Sequence, residues 1–531
     1  MTVSKTNSPF TYIDLFSGIG GFRLALDAMG GTCVNFSEIS RDAVDAYCSN
    51  FGERDELNLG DITKIKALRQ HDILTAGVPC QSWSIAGRNL GFDDDRGQLW
   101  NDTLFLLNQA RPKAFIFENV KGLVDPRNQP ALQFILDRIK KAGYFAKHFV
   151  LTSSDYGVPQ DRVRVYIVGF LQEQYLHQFQ LPSPKPCDLK LRDVLQETVC
   201  AGQGMPTSGG YDLFGQPVQD KRRYRKTNGM NDFFLFNDIR NGPTTIHSWD
   251  LKPTTERQKA ICMLLLRNRR KSAYGRLDGN PLSLTHLQHL DNSIEAVELD
   301  ALATMGILKT VSYSFSATSN NTPTLNESEA IVMKQLSAGC TSLDALRESR
   351  ELRLAKVPLD KTIAGLVSRG LLGCTEIRYE FRYTKISTGI DGVNRVFLPK
   401  SEAFPTLVAS DTNDFIALKD VQSETPEGYK QAFLQEIFHK GLYRKVSKEE
   451  ACQIQGFPRK FKLPESRGRW MKLIGNSVSV PVIGNLVASI IETGCFETGD
   501  APAGKTNTSA LDQPDACNVY GKVSTQDSVF A

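Results

Sequence analysis

One cysteine and one glutamate of this chain follow predicted buried strands and could share covalent chemistry. Cys80 lies in the turn 77–81, directly after the apolar run 73–76, and Glu118 follows the run 114–117. A thiolate can add to an electrophilic ring carbon, and a carboxyl group can move a proton to or from a ring nitrogen. A lone cysteine can equally be a small buried hydrophobe, which is our interpretation of most of the other ten.

Two arginines open another apolar run and could hold a charged or polar group. Arg162 and Arg164 flank the start of the predicted strand 163–168. Because side chains alternate along a strand, we expect both to face the same side of the sheet. There they could orient a carboxylate or bind the polar edge of a base. Two solvated charges at a strand edge are the alternative.

A glycine-containing loop and two acidic residues suggest a nucleoside-type cofactor. The loop 16–21 (FSGIGG) ends the first apolar run, so its backbone can approach a ligand and present N–H groups at a helix start. It departs from the dinucleotide pattern G-x-G-x-x-G because Arg23 holds the third glycine position. Phe16 offers a ring face to an adenine, Glu38 could accept hydrogen bonds from ribose hydroxyls, and Asp61 could meet a purine amino group. Taken singly, each acid could also be a solvated loop residue.

The elements that must position these residues form an alternating strand and helix pattern. Alternation of this kind predicts right-handed crossovers and an α/β fold with a doubly wound, mostly parallel sheet. Ligands bind at the carboxyl ends of strands in such sheets, which is where the residues above are placed. The predicted strands are 11–16, 34–37, 73–76, 114–117 and 163–168, and the predicted helices are 22–29, 42–49, 98–110 and 131–141.

The interval 171–443 lacks this pattern and contains an internal repeat. Gly306-Ile307-Leu308 precedes an alternating apolar run, and Gly370-Leu371-Leu372 precedes another, 64 residues later. Helical segments come before each copy. Helices followed by a glycine break and a β-hairpin resemble winged helix-turn-helix modules, so we predict two winged-helix-like units near 256–318 and 326–387. Two helical hairpins whose β-ribbons merely pack together are the alternative.

Length and composition place the chain among globular proteins. It has 531 residues, 41% of them hydrophobic and 23% charged, and 63 basic against 59 acidic side chains give a net charge of +4. Disorder throughout, collagen-like repetition and small disulfide scaffolds are excluded, and the balance gives no overall nucleic-acid signature. The 11 cysteines include no C-x-x-C pair, so they predict neither a disulfide framework nor a metal site and suit a reducing cytoplasm. We expect no membrane span, no export signal and a disordered tail at 498–531.

Six short sequence motifs follow one another along the chain, and most of the candidate residues lie in them. The motifs are Asp14 to Gly21, Pro79-Cys80-Gln81 with Ser84 and Ala86-Gly87, Glu118-Asn119-Val120, Gln160 to Arg164, Gln455-Gly456-Phe457-Pro458 and Gly475-Asn476-Ser477-Val478. In type and order they resemble the motifs of the DNA (cytosine-5) methyltransferases. The resemblance covers about 12–169 and 444–490 and leaves the middle of the chain unmatched.

The resemblance implies roles for individual residues. Cys80 matches the nucleophile that attacks carbon 6 of cytosine, and Glu118 matches the acid that contacts the N3 side of the ring. Arg162 and Arg164 match the arginines that hold the target base and the active-site groups. The segment 84–98 corresponds to the mobile loop that closes over the base, and Trp83 stands where phenylalanine is common. S-adenosylmethionine is the implied cofactor, with contacts from Phe16, Gly18, Gly20, Glu38, Asp61, Pro79, Asn476 and Ser477.

The resemblance also implies an activity and partners. The activity is methyl transfer to carbon 5 of a cytosine flipped out of double-stranded DNA, because the target atom is inaccessible in a stacked duplex. A catalytic part at 1–170, closed by the return of 444–497, would flank a target-recognition region at 171–443. Basic runs at 221–226 and 267–271 suit phosphate contacts, with solvated surface as the alternative. We expect a cytoplasmic, nucleoid-associated monomer without metal, which serves a restriction–modification system whose companion endonuclease acts separately.

Three other functions stay open on the sequence alone. Methylation of cytosine in RNA shares these motifs in a tRNA-acting branch of the family, although that branch lacks a large recognition insertion. A non-catalytic DNA-binding relative is disfavoured by the intact Cys80, Glu118 and Arg164. A nicotinamide-dependent oxidoreductase is disfavoured by Arg23 and by Pro79-Cys80-Gln81.

Overall fold

A computed structural model describes most of the chain, and four of the predicted features lie outside the described residues. Those features are Cys80, most of the predicted loop 84–98, the basic run 221–226 and the tail 498–531. The described residues are 10–79, 95–184, 189–196, 228–239, 242–318 and 324–497, with the backbone alone at 95–98.

The first part of the chain forms a six-stranded sheet. Its strands are β1 (Phe10–Leu15), β2 (Gly31–Ser37), β3 (Ile73–Gly77), β4 (Ala114–Val120), β5 (Phe145–Thr152) and β7 (Val163–Phe170). The short strand β6 (Gln160–Asp161) lies between β5 and β7 in the sequence and outside this sheet. The helices of this part are α1 (Gly21–Ala28), α2 (Arg41–Phe51), α3 (Asp95–Ala110), α4 (Gln129–Lys141) and α5 (Glu173–Gln178). The strand order is β2-β1-β3-β4-β7-β5, and β7 alone runs against the other five. The predicted doubly wound, mostly parallel sheet is therefore confirmed.

Two apolar layers cover the faces of this sheet. Alternation along β4 sends Ile116 into one layer and Phe115 and Phe117 into the other, and all three are fully buried. The first layer contains Phe22 of α1, and the second contains Trp100 of α3. Each fully buried large apolar side chain contributes about 1.5–3 kcal/mol to folding, so the paired layers fix the sheet rigidly beneath the strand ends.

The rest of the chain adds the remaining helices and strands. They begin with α6 (Leu191–Val194), β8 (Asp232–Leu235), β9 (Thr245–Ile246), α7 (Glu256–Asn268), β10 (Leu282–Ser283), α8 (Leu284–Gln288), α9 (Ala296–Thr304), β11 (Leu308–Ala317), α10 (Glu327–Ser337), α11 (Leu343–Glu348), α12 (Arg350–Leu354), α13 (Leu359–Ser368) and β12 (Leu372–Phe381). They end with β13 (Arg395–Phe397), β14 (Phe404–Pro405), β15 (Asp414–Ala417), α14 (Pro426–Phe433), β16 (Tyr443–Arg444), α15 (Lys448–Gln455), α16 (Arg467–Asn476) and α17 (Val480–Glu492).

The two copies of the repeat are interlaced. Strands β11 and β12, one from each copy, pair antiparallel from Leu308 opposite Phe381 to Ala317 opposite Leu372. Leu308 and Leu372 are 64 residues apart, and so are Ala317 and Phe381, so exchanging the copies leaves the pairs at both ends unchanged. In the middle, a register shift that sets Ser314 opposite Glu376 breaks this symmetry. The short strand β10 of the first copy pairs with β12 of the second. In the same way, Ser342 of the second copy forms a bridge with Ser314 of the first.

This arrangement corrects the expectation of one β-hairpin in each copy. Each copy supplies a single long strand, whose backbone donors and acceptors find partners on the strand of the other copy. The apolar cores cross over as well: Tyr379 and Phe381 of β12 pack with α7 and α9, whereas Tyr313 and Phe315 of β11 pack with α10 and α13. We call the whole arrangement, residues 256–381, the interlaced pair.

A separate five-stranded sheet and one bridging segment connect the interlaced pair to the catalytic part. The sheet has the order β16-β15-β13-β8-β9, and Phe433 of α14 stacks on Phe233 with ring centroids 3.9 Å apart. Strand β14 pairs in parallel with β6, and Leu407 joins a core that contains Ile19 and Ile474. By packing, the segment around β14 belongs with the six-stranded sheet and its helices, although it precedes the predicted return of the chain at 444.

One helical stretch among the described residues, Arg467–Glu492, is long and apolar enough by composition to cross a membrane. Of the 18-residue window of this stretch that meets the test, 61% is buried inside the protein. The stretch consists of α16 and α17, which an extended Ser477 separates, and Val482, Leu486 and Ile490 of α17 pack in the layer that contains Phe22 of α1. Its apolar character is therefore that of a core helix.

Candidate active site

The loop after β1 has an unusual backbone that leaves room above it. Phe16, Gly18 and Gly20 have φ angles of 52°, 55° and 88°, a region that costs a residue with a side chain more than glycine. A Cβ atom at Gly18 would meet no other atom within 4 Å, whereas one at Gly20 would overlap the ring of Phe51. The loop therefore packs closely below and stays open above, as an approach to a ligand requires.

Glu38 ties this loop to the end of β2. Its Oε2 accepts a hydrogen bond from the Gly18 N–H at 2.9 Å, and its Oε1 accepts from the N–H groups of Ile39 at 2.9 Å and Ser40 at 2.7 Å. Asp61 lies nearby, because the carbonyl of Gly60 before it accepts a 2.6 Å hydrogen bond from Ser37 Oγ at the end of β2. The structure thus gathers Phe16, Glu38 and Asp61 around one edge of the sheet, as the sequence predicts.

Glu118 and Arg164 form a nearly buried ion pair at the same edge. Arg164 Nε lies 3.0 Å from Glu118 Oε1, because antiparallel pairing sets the start of β7 beside the end of β4. Burial raises the pKa of Glu118 above its ordinary value, although Arg164 and Arg162 act in the opposite direction. A carboxyl group in this environment holds a proton more readily than an exposed one, which is what proton transfer to a ring nitrogen needs.

The turn that carries the candidate nucleophile is fastened next to Glu118. Gly77, the last residue of β3, is paired with Glu118 in the sheet register, and Asn119 Nδ2 donates a 3.2 Å hydrogen bond to the Val78 carbonyl. Pro79 follows Val78, and Cys80 comes next, outside the described residues. No role is predicted for Asn119, and its sequence signal is that of a polar residue directly after the acidic residue of a buried strand.

Arg162 lies deeper than predicted. It is 2% exposed, and its guanidinium donates to the backbone carbonyls of Leu407 at 3.1 Å and Gly475 at 3.2 Å, as well as to that of Ser477. Arg164 pairs with Glu118, whereas the guanidinium of Arg162 joins three distant chain segments. Both arginines nevertheless act on Glu118 and lower its pKa. Arg162 stands between β6 and β7, outside a regular strand, so strand alternation does not decide its direction and the shared face stays a prediction.

The end of the chain returns beside its beginning, as the resemblance implies. A Cβ atom at Gly21 would lie 2.8 Å from Ser477 Oγ, so only glycine lets α1 approach this residue so closely. Gln455 Nε2 donates to the Ser477 carbonyl at 2.9 Å, beside the hydrogen bond from Arg162. Asn476 is exposed and Ser477 is buried, so these neighbours project in different directions.

Two buried polar groups beneath the loop were not foreseen from the sequence. Asp14 is fully buried and accepts a 2.9 Å hydrogen bond from Thr75 Oγ1, and burial raises the pKa of its carboxyl from 3.8 to about 8. Its Oδ2 and the hydroxyl of Ser17 have no hydrogen-bond partner among the described atoms. Their position below the open loop suits them to a polar ligand.

The basic run 267–271 is only partly available for phosphate contacts. Arg269 is buried with its guanidinium 5.5 Å from the centroid of Phe381, and Arg270 forms ion pairs with Asp238 and Asp278. Arg267 and Lys271 are exposed. Within the described ranges, no group of three His, Cys, Asp or Glu side chains could hold a metal ion.

The chain is similar to known proteins over most of its length. The family model of C-5 cytosine-specific DNA methylase matches residues 10–334 and 379–492. Type II methyltransferase M.HgiBI of Herpetosiphon aurantiacus is 40% identical over 479 residues, 89% of this chain and 95% of that protein. Type II methyltransferase M.HgiCII of the same organism is 39% identical over 493 residues, 92% of this chain and 98% of that protein. The chain therefore belongs to the C-5 cytosine-specific DNA methylases and is a DNA (cytosine-5-)-methyltransferase.

Proposed function

We propose that this chain methylates a cytosine within a specific sequence of double-stranded DNA through a covalent bond between Cys80 and carbon 6 of the ring. The observation that carries the proposal is the buried Glu118, whose raised pKa and contact with Arg164 suit a group that holds a proton for the base. Gly77, three residues before Cys80, lies opposite Glu118 in the sheet. A nucleophile on that turn and the carboxyl group would meet the same base.

The proposed reaction has three steps: addition of the thiolate, methyl transfer and elimination. The Cys80 thiolate adds to carbon 6, and Glu118 gives a proton to N3, so that the ring stays neutral and carbon 5 becomes nucleophilic. After methyl transfer, carbon 5 loses its proton to a base, and the bond from Cys80 sulfur to carbon 6 breaks as the ring double bond returns. N3 then gives its proton back to Glu118, which leaves neutral 5-methylcytosine and restores the acid. Arg164 orients the Glu118 carboxyl throughout, and it could also contact the polar edge of the cytosine.

S-adenosylmethionine is the methyl donor that we propose, since it supplies an electrophilic methyl group on a positive sulfur. The residues of this chain fit such a group: the space above Gly18 is open, and Asp14 and Ser17 have polar atoms without partners beneath the loop. The residues that would hold its adenosine and amino-acid parts are Phe16, Gly18, Gly20, Glu38, Asp61, Pro79, Asn476 and Ser477.

Duplex DNA must deform to reach this site. A stacked cytosine cannot reach Glu118, so the base would rotate out of the helix at a cost of a few kcal/mol of unstacking. The predicted target-recognition region 171–443, with the interlaced pair inside it, would hold the DNA while the base is out. Its size favours duplex DNA over RNA, and so do the Type II names of the relatives.

The cellular setting follows from the same relatives. Both are named Type II methyltransferases, which favours a modification enzyme of a restriction–modification system for this chain. A companion endonuclease would act separately at the same sites, and the methyltransferase would act as a cytoplasmic monomer on nucleoid DNA.

A trapping experiment tests the covalent mechanism. Duplex DNA with 5-fluorocytosine at the target position keeps fluorine where the proton must leave, so the adduct accumulates. We expect the wild-type chain with S-adenosylmethionine to form an adduct that survives denaturing electrophoresis, and Cys80→Ser to form none. An adduct of unchanged yield in Cys80→Ser would overturn the assignment. Cys48→Ser, in α2, is the matched control and should still trap.

Bisulfite sequencing of DNA from cells that express the chain defines the substrate. We expect one short sequence to be methylated at a single cytosine throughout the genome, and Glu118→Gln to reduce that methylation by at least about 100-fold. Methylated cytosine in RNA, with DNA unmodified, would instead support the RNA alternative.

A further inference from the structure

A strongly basic surface segment lies outside the candidate active site. Between residues 459 and 472 the sequence has six basic residues and one acidic residue, although the whole chain has a net charge of only +4. The positive charge is therefore concentrated in the connection from α15 to α16 and in α16 itself. Neither the catalytic groups nor the cofactor contacts include any of these basic residues.

Part of this segment lines a concave surface. A cavity of about 470 Å³ is lined by side chains of both signs. Its cations are Lys448, Arg459, Lys460 and Lys462, and its acids are Glu449 and Glu465. We call this surface the basic pocket. Glu465 forms a 2.8 Å ion pair with Lys448, which leaves the other three cations facing a single carboxylate, Glu449.

The cations of the basic pocket are held on a rigid support. Phe461, between Lys460 and Lys462, is 7% exposed and packs edge-on against the ring of Phe457, with centroids 4.9 Å apart. Lys462 is fixed through its backbone: its N–H donates to Asn50 Oδ1 and its carbonyl accepts from Asn50 Nδ2, both at 2.8 Å. A charged loop with an apolar anchor and two backbone hydrogen bonds presents its cations in a defined arrangement.

Arg459 and Lys460 have few competing partners. Both are exposed, and neither forms an ion pair with a carboxylate of the described residues. Lys462 is exposed, and among the described residues its Nζ donates one hydrogen bond, to the Ser49 carbonyl at 3.3 Å. Arg469, farther along the segment, is by contrast neutralised by Asp42. Within the basic pocket, the available charge therefore lies on three neighbouring side chains.

The position of the basic pocket separates it from the reacting base. It adjoins Asn50 near the end of α2, whereas α2 begins just after Glu38, at the cofactor edge. At a rise of 1.5 Å per residue, the nine residue steps from Arg41 to Asn50 separate the pocket from that edge by roughly 13 Å. Side chains at this distance cannot contact a base that is being methylated at Glu118, so their ligand must be another part of the substrate.

We propose that the basic pocket binds the phosphate backbone of duplex DNA outside the target sequence. Arg459, Lys460 and Lys462 together could neutralise two or three phosphates, which are spaced about 3.4 Å apart along the axis of each strand. Contacts of this kind carry no sequence information and instead position the duplex and raise its affinity. The inference rests on the DNA substrate of the family and goes beyond the proposed reaction, because it involves none of the catalytic residues.

The test compares short and long duplexes. The triple variant Arg459→Gln, Lys460→Gln, Lys462→Gln is measured on a target duplex of about one helical turn and on one of about four turns. For the long duplex we expect Kd to rise at least about tenfold and the slope of log K against log salt to become shallower by about 2 to 3. For the short duplex, Kd and kcat should stay unchanged.

A matched control separates this effect from net charge. Lys140→Gln, Lys141→Gln, Lys147→Gln removes three exposed cations near β5, at the opposite edge of the main sheet from α2. We expect this variant to leave the salt slope on the long duplex within about 0.5 of wild type. Melting temperatures of both variants confirm that they fold.

Two outcomes would overturn the proposal. One is equal loss of affinity on short and long duplexes, which would place the three cations at the target site or show a general charge effect. The other is an unchanged salt slope on the long duplex in the triple variant. Failure of the 5-fluorocytosine trapping would contradict the proposed mechanism and leave this binding comparison interpretable, so the two proposals fail separately.

Discussion

Arg164 Nε stands 3.0 Å from Glu118 Oε1, and only 14% and 10% of the two side chains are exposed. The pair combines opposing influences: burial raises the pKa of the carboxyl group, and the guanidinium lowers it. The balance decides how much of Glu118 carries a proton at a given pH. Arg164 therefore helps to set the pKa of Glu118, a group that must carry a proton to act as the acid in the proposed reaction.

Removing the positive charge should move the pH dependence of the reaction. In Arg164→Gln we expect kcat to fall by about 100-fold, and the loss of activity on the alkaline side to shift to higher pH, because the Glu118 pKa rises without its partner. Arg164→Lys keeps the charge and should shift the profile less. Single-turnover rates between pH 6 and pH 9 give the measurement. An alkaline limb that moves to lower pH would contradict the argument.

Arg162 should behave as a structural residue. In Arg162→Lys the guanidinium that joins Leu407, Gly475 and Ser477 is lost, and we expect the free energy of unfolding to fall by about 2–4 kcal/mol. The matched control is Arg111→Lys, since Arg111 is exposed and donates to one carbonyl, that of Ala142, so the change should stay below about 1 kcal/mol. Urea denaturation measures both. Equal losses would refute the special role of Arg162.

Asp14 should make the unliganded protein less stable as the pH rises. Its pKa is about 8 in the folded protein against 3.8 ordinarily, so the folded state holds a proton that the unfolded chain releases. The free energy of unfolding therefore decreases from about pH 4 to about pH 8, by at most about 1.4 kcal/mol per pH unit from this group. Asp14→Asn should flatten that slope. Urea denaturation of both proteins at pH 5.5 and pH 7.5 tests this, and equal slopes would contradict it.

Two glycines near the C-terminus should respond oppositely to the same substitution. A Cβ atom at Gly475 would overlap the backbone of Val408 and Ala409, so Gly475→Ala should destabilise the protein by at least about 2 kcal/mol. A Cβ atom at Gly484, inside α17, would meet nothing within 4 Å. Gly484→Ala should therefore stabilise the helix by about 0.5–1 kcal/mol. Thermal denaturation compares them, and a stable Gly475→Ala would mean that the segment 408–409 moves freely.

A substitution in the second copy of the repeat should destabilise the first. Phe381 is fully buried among residues of α7 and α9, so Phe381→Ala should cost about 3–5 kcal/mol and speed amide exchange in those helices. Ile377 on the same strand is 52% exposed, and Ile377→Ala should cost less than about 1 kcal/mol. Faster exchange confined to α10 and α13 would show that the copies fold independently. Deletion of 326–387 would remove β12 and with it part of the core of the first copy.

The sequence predicts an element correctly where the local pattern of apolar residues determines its structure. Apolar runs predicted β1, β3, β4 and β7 because both faces of these strands are buried, and the strand ends then predicted that Glu38 and Glu118 lie at one edge of the sheet, as they do. Strand β5 was missed, since exposed Lys147 and His148 interrupt its apolar pattern at the border of the sheet. An edge strand buries less of its surface than a central strand and therefore needs fewer apolar residues.

Long-range partners could not be predicted from the sequence. The role of Arg162 depends on carbonyl groups 245 and 313 residues away, and nothing around Arg162 indicates them. The repeat of 64 residues was visible, but two similar strands can pair within or between copies with the same local pattern. Whether the strands pair within a copy or between copies depends on how many strands each copy supplies, and that number is known only from the structure.

Interlacing also affects the order of events during synthesis. The helices α7 and α9 leave the ribosome well before Tyr379 and Phe381, which complete their core. Until then the nascent chain exposes apolar surface on the first copy, and contacts so far apart in sequence form slowly. We therefore expect a pause in translation or a chaperone to protect residues 256–371 until β12 emerges. Because each copy completes its core with a strand of the other, we expect neither copy to fold when it is produced alone.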